Sequence, residues 1–129
     1  MKIIKINDPV YGAEIRVIVN CTQYELKGYL KRSLFCLDYE IDTAFCGNYM
    51  RLGNDKYDVD IVWVKKFDWT VDDQAILNHE LLHCALSILD RCLVPLGSGP
   101  ESEPLAYYHE FLFRETWNKL KPKKKRKGK

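Results

Sequence analysis

Ile76-Leu77-Asn78-His79-Glu80-Leu81-Leu82-His83-Cys84-Ala85-Leu86-Ser87-Ile88-Leu89 is the stretch that decides the fold. Its apolar residues recur at helical spacing and go nearly all the way round. The pattern predicts a central helix buried on most sides. Thr70 opens it: Thr70-x-x-Asp73 has the form of a capping box with a shorter acid. Asp72 and Asp73 suit the positive end of the helix dipole. Within the helix lies His79-Glu80-Leu81-Leu82-His83, which holds two of the chain's three histidines. One turn separates them, so both imidazoles leave the same face and can share one metal ion. Glu80 projects about 100° round the helix from His79, within reach of a water on that ion.

These residues suit metal-assisted hydrolysis of a peptide bond. Catalytic Zn²⁺ takes three protein ligands and keeps one position for a water, whose pKa falls to about 7. Glu80 then acts as general base, and afterwards as general acid toward the leaving amine. The bland reading is a chance match, which would lack a strand before the helix and a carboxylate on the helix after it. Unpaired buried polar groups cost about 1–3 kcal/mol each, and a metal gives histidines in an apolar helix a reason to be there.

The chain has 129 residues, enough for one domain, and 47% are apolar, enough for a core. Its net charge of +2 is unevenly placed. Lys121 to Lys129 hold seven basic side chains; without them 13 basic residues face 18 acidic ones, a net of −5. The expectation is a domain over residues 1–120 and a disordered basic tail over 121–129. Five cysteines with no C-x-x-C argue against a disulfide framework and read as reduced, packed thiols. As metal ligands, Cys84 points away from the histidine face, and Cys92 lies nine residues on, not a whole number of turns. The N-terminal run is too short and too charged for a signal peptide, and no apolar run approaches the roughly 20 residues that span a bilayer. A soluble cytoplasmic protein is expected.

Elsewhere Ile3–Ile6 and Ala13–Asn20 read as two strands joined by a turn at Asp8-Pro9 and Gly12. Thr22-x-x-Glu25 is a capping box that opens a helix over about Gln23 to Phe35. Tyr39–Phe45 and Tyr57–Val64 alternate as strands, and the Gly-Asn pairs between them read as a long hairpin connection. Gly97-Ser98-Gly99-Pro100 ends the motif helix, and a last helix runs from Glu103 to about Leu120. The fold expected is α+β: a small mixed or antiparallel sheet of three or four strands with flanking helices. The motif helix is central and a second helix follows it.

A third ligand is needed, and loop length leaves Glu103, His109 and Glu110 open. Asp90 lies about 10 Å along the helix from His83, too far to share the ion. H-E-x-x-H followed by Glu103-Pro104-Leu105-Ala106, an E-x-x-A pattern, resembles the gluzincin branch of the zincin metallopeptidases. It is similar to the small intracellular members that cleave repressors and to metallopeptidase-like proteins of tailed phages. The resemblance covers about Tyr57 to Trp117. It implies that His79, His83 and Glu103 bind Zn²⁺, with His109 as the alternative third ligand, as in SprT-like crosslink proteases. It implies a protein or peptide substrate laid along an edge strand, for which Tyr57–Val64 is the nearest candidate. It also implies an oxyanion donor among Tyr107, Tyr108 and His109, residues that ordinary helix packing explains equally well. For a phage-encoded chain the location becomes the host cytoplasm.

Two other functions stay open. One is a zinc-stabilised structural or interaction module without turnover. The other is a nucleic-acid-associated accessory protein acting through Lys121–Lys129. That tail supports weak, salt-sensitive phosphate contact, but it has no aromatic residue to stack on bases.

Overall fold

The computed structural model describes residues 1–34, 45–54 and 57–122. The elements run β1 (Lys2–Asn7), β2 (Glu14–Val19), α1 (Gln23–Leu34), β3 (Gly47–Asn54), β4 (Tyr57–Val64) and α2 (Val71–Arg91). A 3₁₀ turn (Gly99–Ser102) and α3 (Glu103–Leu120) complete the chain. The fold is α+β, with a mixed four-stranded sheet in the order β1-β2-β4-β3. Among the described residues, no helix is long and apolar enough to cross a membrane. From residue 123 onward the basic tail lies outside the described residues.

β1 and β2 form the hairpin expected from their sequences, with Lys2 opposite Val19 and Asn7 opposite Glu14. Its turn is closed by Asp8 N–H donating to the Ala13 carbonyl at 2.9 Å. Gly12 takes a φ of 70° there, a region that side chains disfavour. α1 begins on the capping box read from sequence. Glu25 N–H donates to Thr22 Oγ1 at 3.2 Å, and Thr22 N–H donates to Glu25 Oε1 at 3.1 Å.

The second hairpin differs from expectation. Residues 39–44 lie outside the described residues, and Phe45 is in no strand. The strand antiparallel to β4 is Gly47–Asn54, the segment read as a connection. Its Gly-Asn pairs mark the two ends of a strand, and Met50 and Leu52 are buried between them. β4 also pairs parallel with β2, Ile15 lying opposite Asp60 and Val19 opposite Val64. Tyr57–Val64 is therefore an interior strand, and β3 is the edge strand on that side.

Helices cover both faces of the sheet. Ile18, Ile61 and Trp63 pack on Leu26, Tyr29 and Leu30 of α1. Val17, Val62 and Val64 pack on Leu77, Leu81 and Ile88 of α2, and Leu112 of α3 joins the same core. Each such side chain contributes about 1.5–3 kcal/mol when fully enclosed. α3 runs back along α2, with Trp117 Nε1–H 3.4 Å from Gln74 Oε1 at the start of α2. α2 is not buried on most sides: its faces toward the sheet and α3 are enclosed, but His79, Leu82 and His83 are exposed. The apolar residues on its outer side reach solvent because, among the described residues, the sheet and α3 are what packs against it.

Candidate metal centre

The cap of α2 sets the register of the motif. Thr70 Oγ1 accepts from Asp73 N–H at 3.1 Å. The Asp73 carboxylate accepts from Asp68 N–H at 2.7 Å, so the shorter acid holds the incoming loop where a full capping box would hold the cap residue itself. That bond keeps the Asp73 carboxyl below the usual carboxylate range.

At the other end, Asp60 of β4 is 1% exposed and accepts both guanidinium nitrogens of Arg91, at 3.0 and 2.7 Å. Tyr49 of β3 donates its hydroxyl to the same carboxylate. Sequence reading missed this triad, which ties the last turn of α2 to the two strands beneath it. Asp60 raises the Arg91 pKa by hydrogen bonding, and burial is the first cause of the raised Tyr49 hydroxyl pKa.

Between these anchors His79 and His83 stand together. Their Nε2 atoms are 3.1 Å apart, with ring centroids at 4.7 Å and planes at 80°. Two nitrogens on a tetrahedral zinc, each about 2.0–2.1 Å from the metal, are separated by roughly 3.3 Å. The pair therefore fits two adjacent vertices with little adjustment. Both rings are exposed, so an ion reaches them directly from water.

Glu80 points to a different flank, toward β3. It is 9% exposed, and among the described residues its carboxylate has no hydrogen-bond or ion-pair partner. Glu80 and His79 line a cleft of about 400 Å³ with Cys46, Gly47, Ala75 and Ile76. Gly47 is packed against Ile76, the β4 backbone and the Glu80 stem. A Cβ there would lie 3.0 Å from both Ile76 Cγ2 and the Trp63 carbonyl oxygen. Sequence reading missed Cys46 and Gly47 because it took this segment for a turn. The alternation of Met50 and Leu52 with Tyr49 and Arg51 was the signal for a strand.

Glu103 is not gathered with the pair. It lines a second cleft with the β1–β2 turn. His83 lies eight residues before the end of α2, about 12 Å of helix, and α3 starts only beyond that end. Glu110 is exposed and bonds Arg114 at 2.5 Å. Asp90 is exposed near the end of α2, and His109 is half-buried with its Nε2 enclosed and unpartnered. Among the described residues, no three His, Cys, Asp or Glu side chains stand close enough to hold one ion. None of Tyr107, Tyr108 and His109 lines the Glu80 cleft. Tyr108 donates its hydroxyl to Asp8 at 2.8 Å inside the core.

Comparison of the chain with protein-family models, curated proteins and solved structures returns no match.

Proposed function

We propose that the chain is a zinc-dependent hydrolase of peptide bonds, with His79 and His83 as metal ligands and Glu80 as the proton carrier. The observation that supports this most is Glu80, a residue only 9% exposed and without a partner among the described residues, which lines a cleft beside His79 of the imidazole pair. His79 and His83 would hold the zinc, which would supply a polarised water of near-neutral pKa. The two imidazoles are poised by the helix itself, one turn apart. Glu80 accepts a proton at its carboxylate and returns it to the leaving amine.

The substrate class is a protein or peptide. The outer side of β3 has no neighbouring strand among the described residues, so its backbone groups are available to an extended peptide. A peptide laid there passes Glu80 at Gly47. The zincin resemblance made Glu103 the third ligand; with Glu103 in another cleft, the proposal rests on the histidine pair and Glu80. A cytoplasmic location and weak nucleic-acid contact through Lys121–Lys129 belong to the same proposal.

A second reading, a metal-stabilised module without turnover, would need a closed site of four protein ligands, and among the described residues no third donor stands beside the pair. Zinc content and cleavage of unfolded protein substrates, measured together, separate the two. The hydrolase reading expects about one zinc per chain, lost in His79→Ala and in His83→Ala. Glu80→Gln should keep the zinc and cut cleavage by roughly 100-fold or more. Zinc without any cleavage leaves the second reading, and absence of zinc overturns both.

A further inference from the structure

We propose that the cleft between the β1–β2 turn and the start of α3 binds a peptide segment through a Lys or Arg side chain. The cleft measures about 650 Å³, within the roughly 300–1,000 Å³ usual for ligand sites. Four aromatic rings line it: Tyr11, Tyr107, Tyr108 and Phe111. Tyr11 and Tyr108 meet edge to face, with centroids 5.2 Å apart, and Phe111 lies 6.0 Å from Tyr108. Ring faces attract a cation that comes within about 6 Å of their centroids.

The charge of the lining has one sign. Asp8 and Glu103 contribute carboxylates, and the lining includes no Lys, Arg or His. Asp8 is 4% exposed. It accepts from Val10 N–H at 2.7 Å, Tyr11 N–H at 3.2 Å and Tyr108 OH at 2.8 Å. These bonds satisfy its oxygens but bring no positive charge, and among the described residues no cation pairs with it. Glu103 at the mouth is exposed and has no partner among the described residues. It also offsets the positive end of the α3 dipole, which would otherwise disfavour a cation there. A long basic side chain answers both features, its stem on the rings and its head toward Glu103.

The occupant is a peptide rather than a small cation because two residues of the lining leave broad apolar surface exposed. Val10 is 74% exposed and Tyr107 67% exposed. A small cation leaves both bare, whereas the residues beside a bound Lys or Arg cover them. The site lies apart from the histidine pair and does not rest on the hydrolase proposal.

The test is a titration of the full chain, followed by backbone amide NMR shifts, with the blocked pentapeptide Ala-Ala-Lys-Ala-Ala. Analogues carry Arg, norleucine or Glu at the centre. The Lys and Arg peptides should bind saturably, shift residues around Asp8 and Tyr107, and weaken as salt is raised. Glu103→Gln and Tyr107→Ala, both at exposed positions, should each weaken binding about threefold. Tyr107→Phe should restore it. Equal binding of the norleucine or Glu peptide overturns the proposal, as does a lack of saturable binding of the Lys peptide to the folded chain.

Discussion

Gly47 of the edge strand lies against Glu80 of the motif helix, so close that a Cβ at position 47 would stand 3.5 Å from Glu80 Cγ. The same Cβ would meet the Trp63 backbone oxygen and Ile76 Cγ2 at 3.0 Å. A side chain there cannot displace the backbone of β4, so β3 must move off α2 instead. Gly47→Ala should therefore destabilise the fold by about 1–3 kcal/mol, and Gly47→Val by more. Urea unfolding checks this, and an unchanged midpoint in both variants would remove the claim that the strand and helix are in contact here.

The parts of the fold that sequence reading reached are local. Thr22 and Glu25 sit three residues apart and form the bonds that their spacing implies. The hairpin around Asp8 and Gly12 is short, and α3 matches Glu103–Leu120 at both ends. The insertion of β4 between β2 and β3 is non-local, and its only trace is the continuous apolar run Ile61-Val62-Trp63-Val64, the mark of a strand covered on both faces. The candidate site divides the same way. His79 and His83 meet because one helix carries both. Where Glu103 lies depends on how far α3 slides along α2, which no residue spacing encodes.

Stability should fall in alkali, beginning before the tyrosines ionise. Burial pushes the Cys21 thiol from 9.0 to about 11, and burial likewise raises Cys84. A raised acid keeps its proton longer in the folded state than in the unfolded one. The unfolded chain then binds fewer protons as pH climbs, so the contribution is intact below about pH 9 and lost between about 9 and 11. Urea midpoints at about pH 8 and pH 10.5 should show the drop, and Cys21→Ala should make it shallower. In native protein Cys46 and Cys92, both exposed, should react with a thiol reagent well before Cys21 and Cys84. A pH-independent midpoint would contradict the assignment.

Asp60 and Arg91 form a two-pronged pair in which the carboxylate is enclosed and the guanidinium partly exposed. Removing Arg91 leaves a buried charge whose one remaining hydrogen-bond donor among the described residues is Tyr49. Arg91→Met should cost about 3 kcal/mol. Adding Asp60→Asn to that variant removes the stranded charge and should recover part of the loss. Denaturant unfolding of the two variants decides the point. If the double variant is no more stable than the single one, the penalty does not come from the unpaired carboxylate.

The 3.1 Å between the two Nε2 atoms leads to a prediction from the proposed metal site: zinc should stabilise the folded helix. Two imidazoles one turn apart meet in a single geometry only when the helix is formed, so a metal that bridges them binds the native state in preference. Zinc at 100 times its dissociation constant should raise the unfolding free energy by about 2.7 kcal/mol, and a chelator should reverse the gain. His83→Ala should abolish the effect. Glu103→Gln should leave it intact, because that carboxylate faces the aromatic cleft. Loss of the zinc effect in Glu103→Gln would instead mean that α3 closes on the pair in solution, and the two-histidine account of the centre would fall.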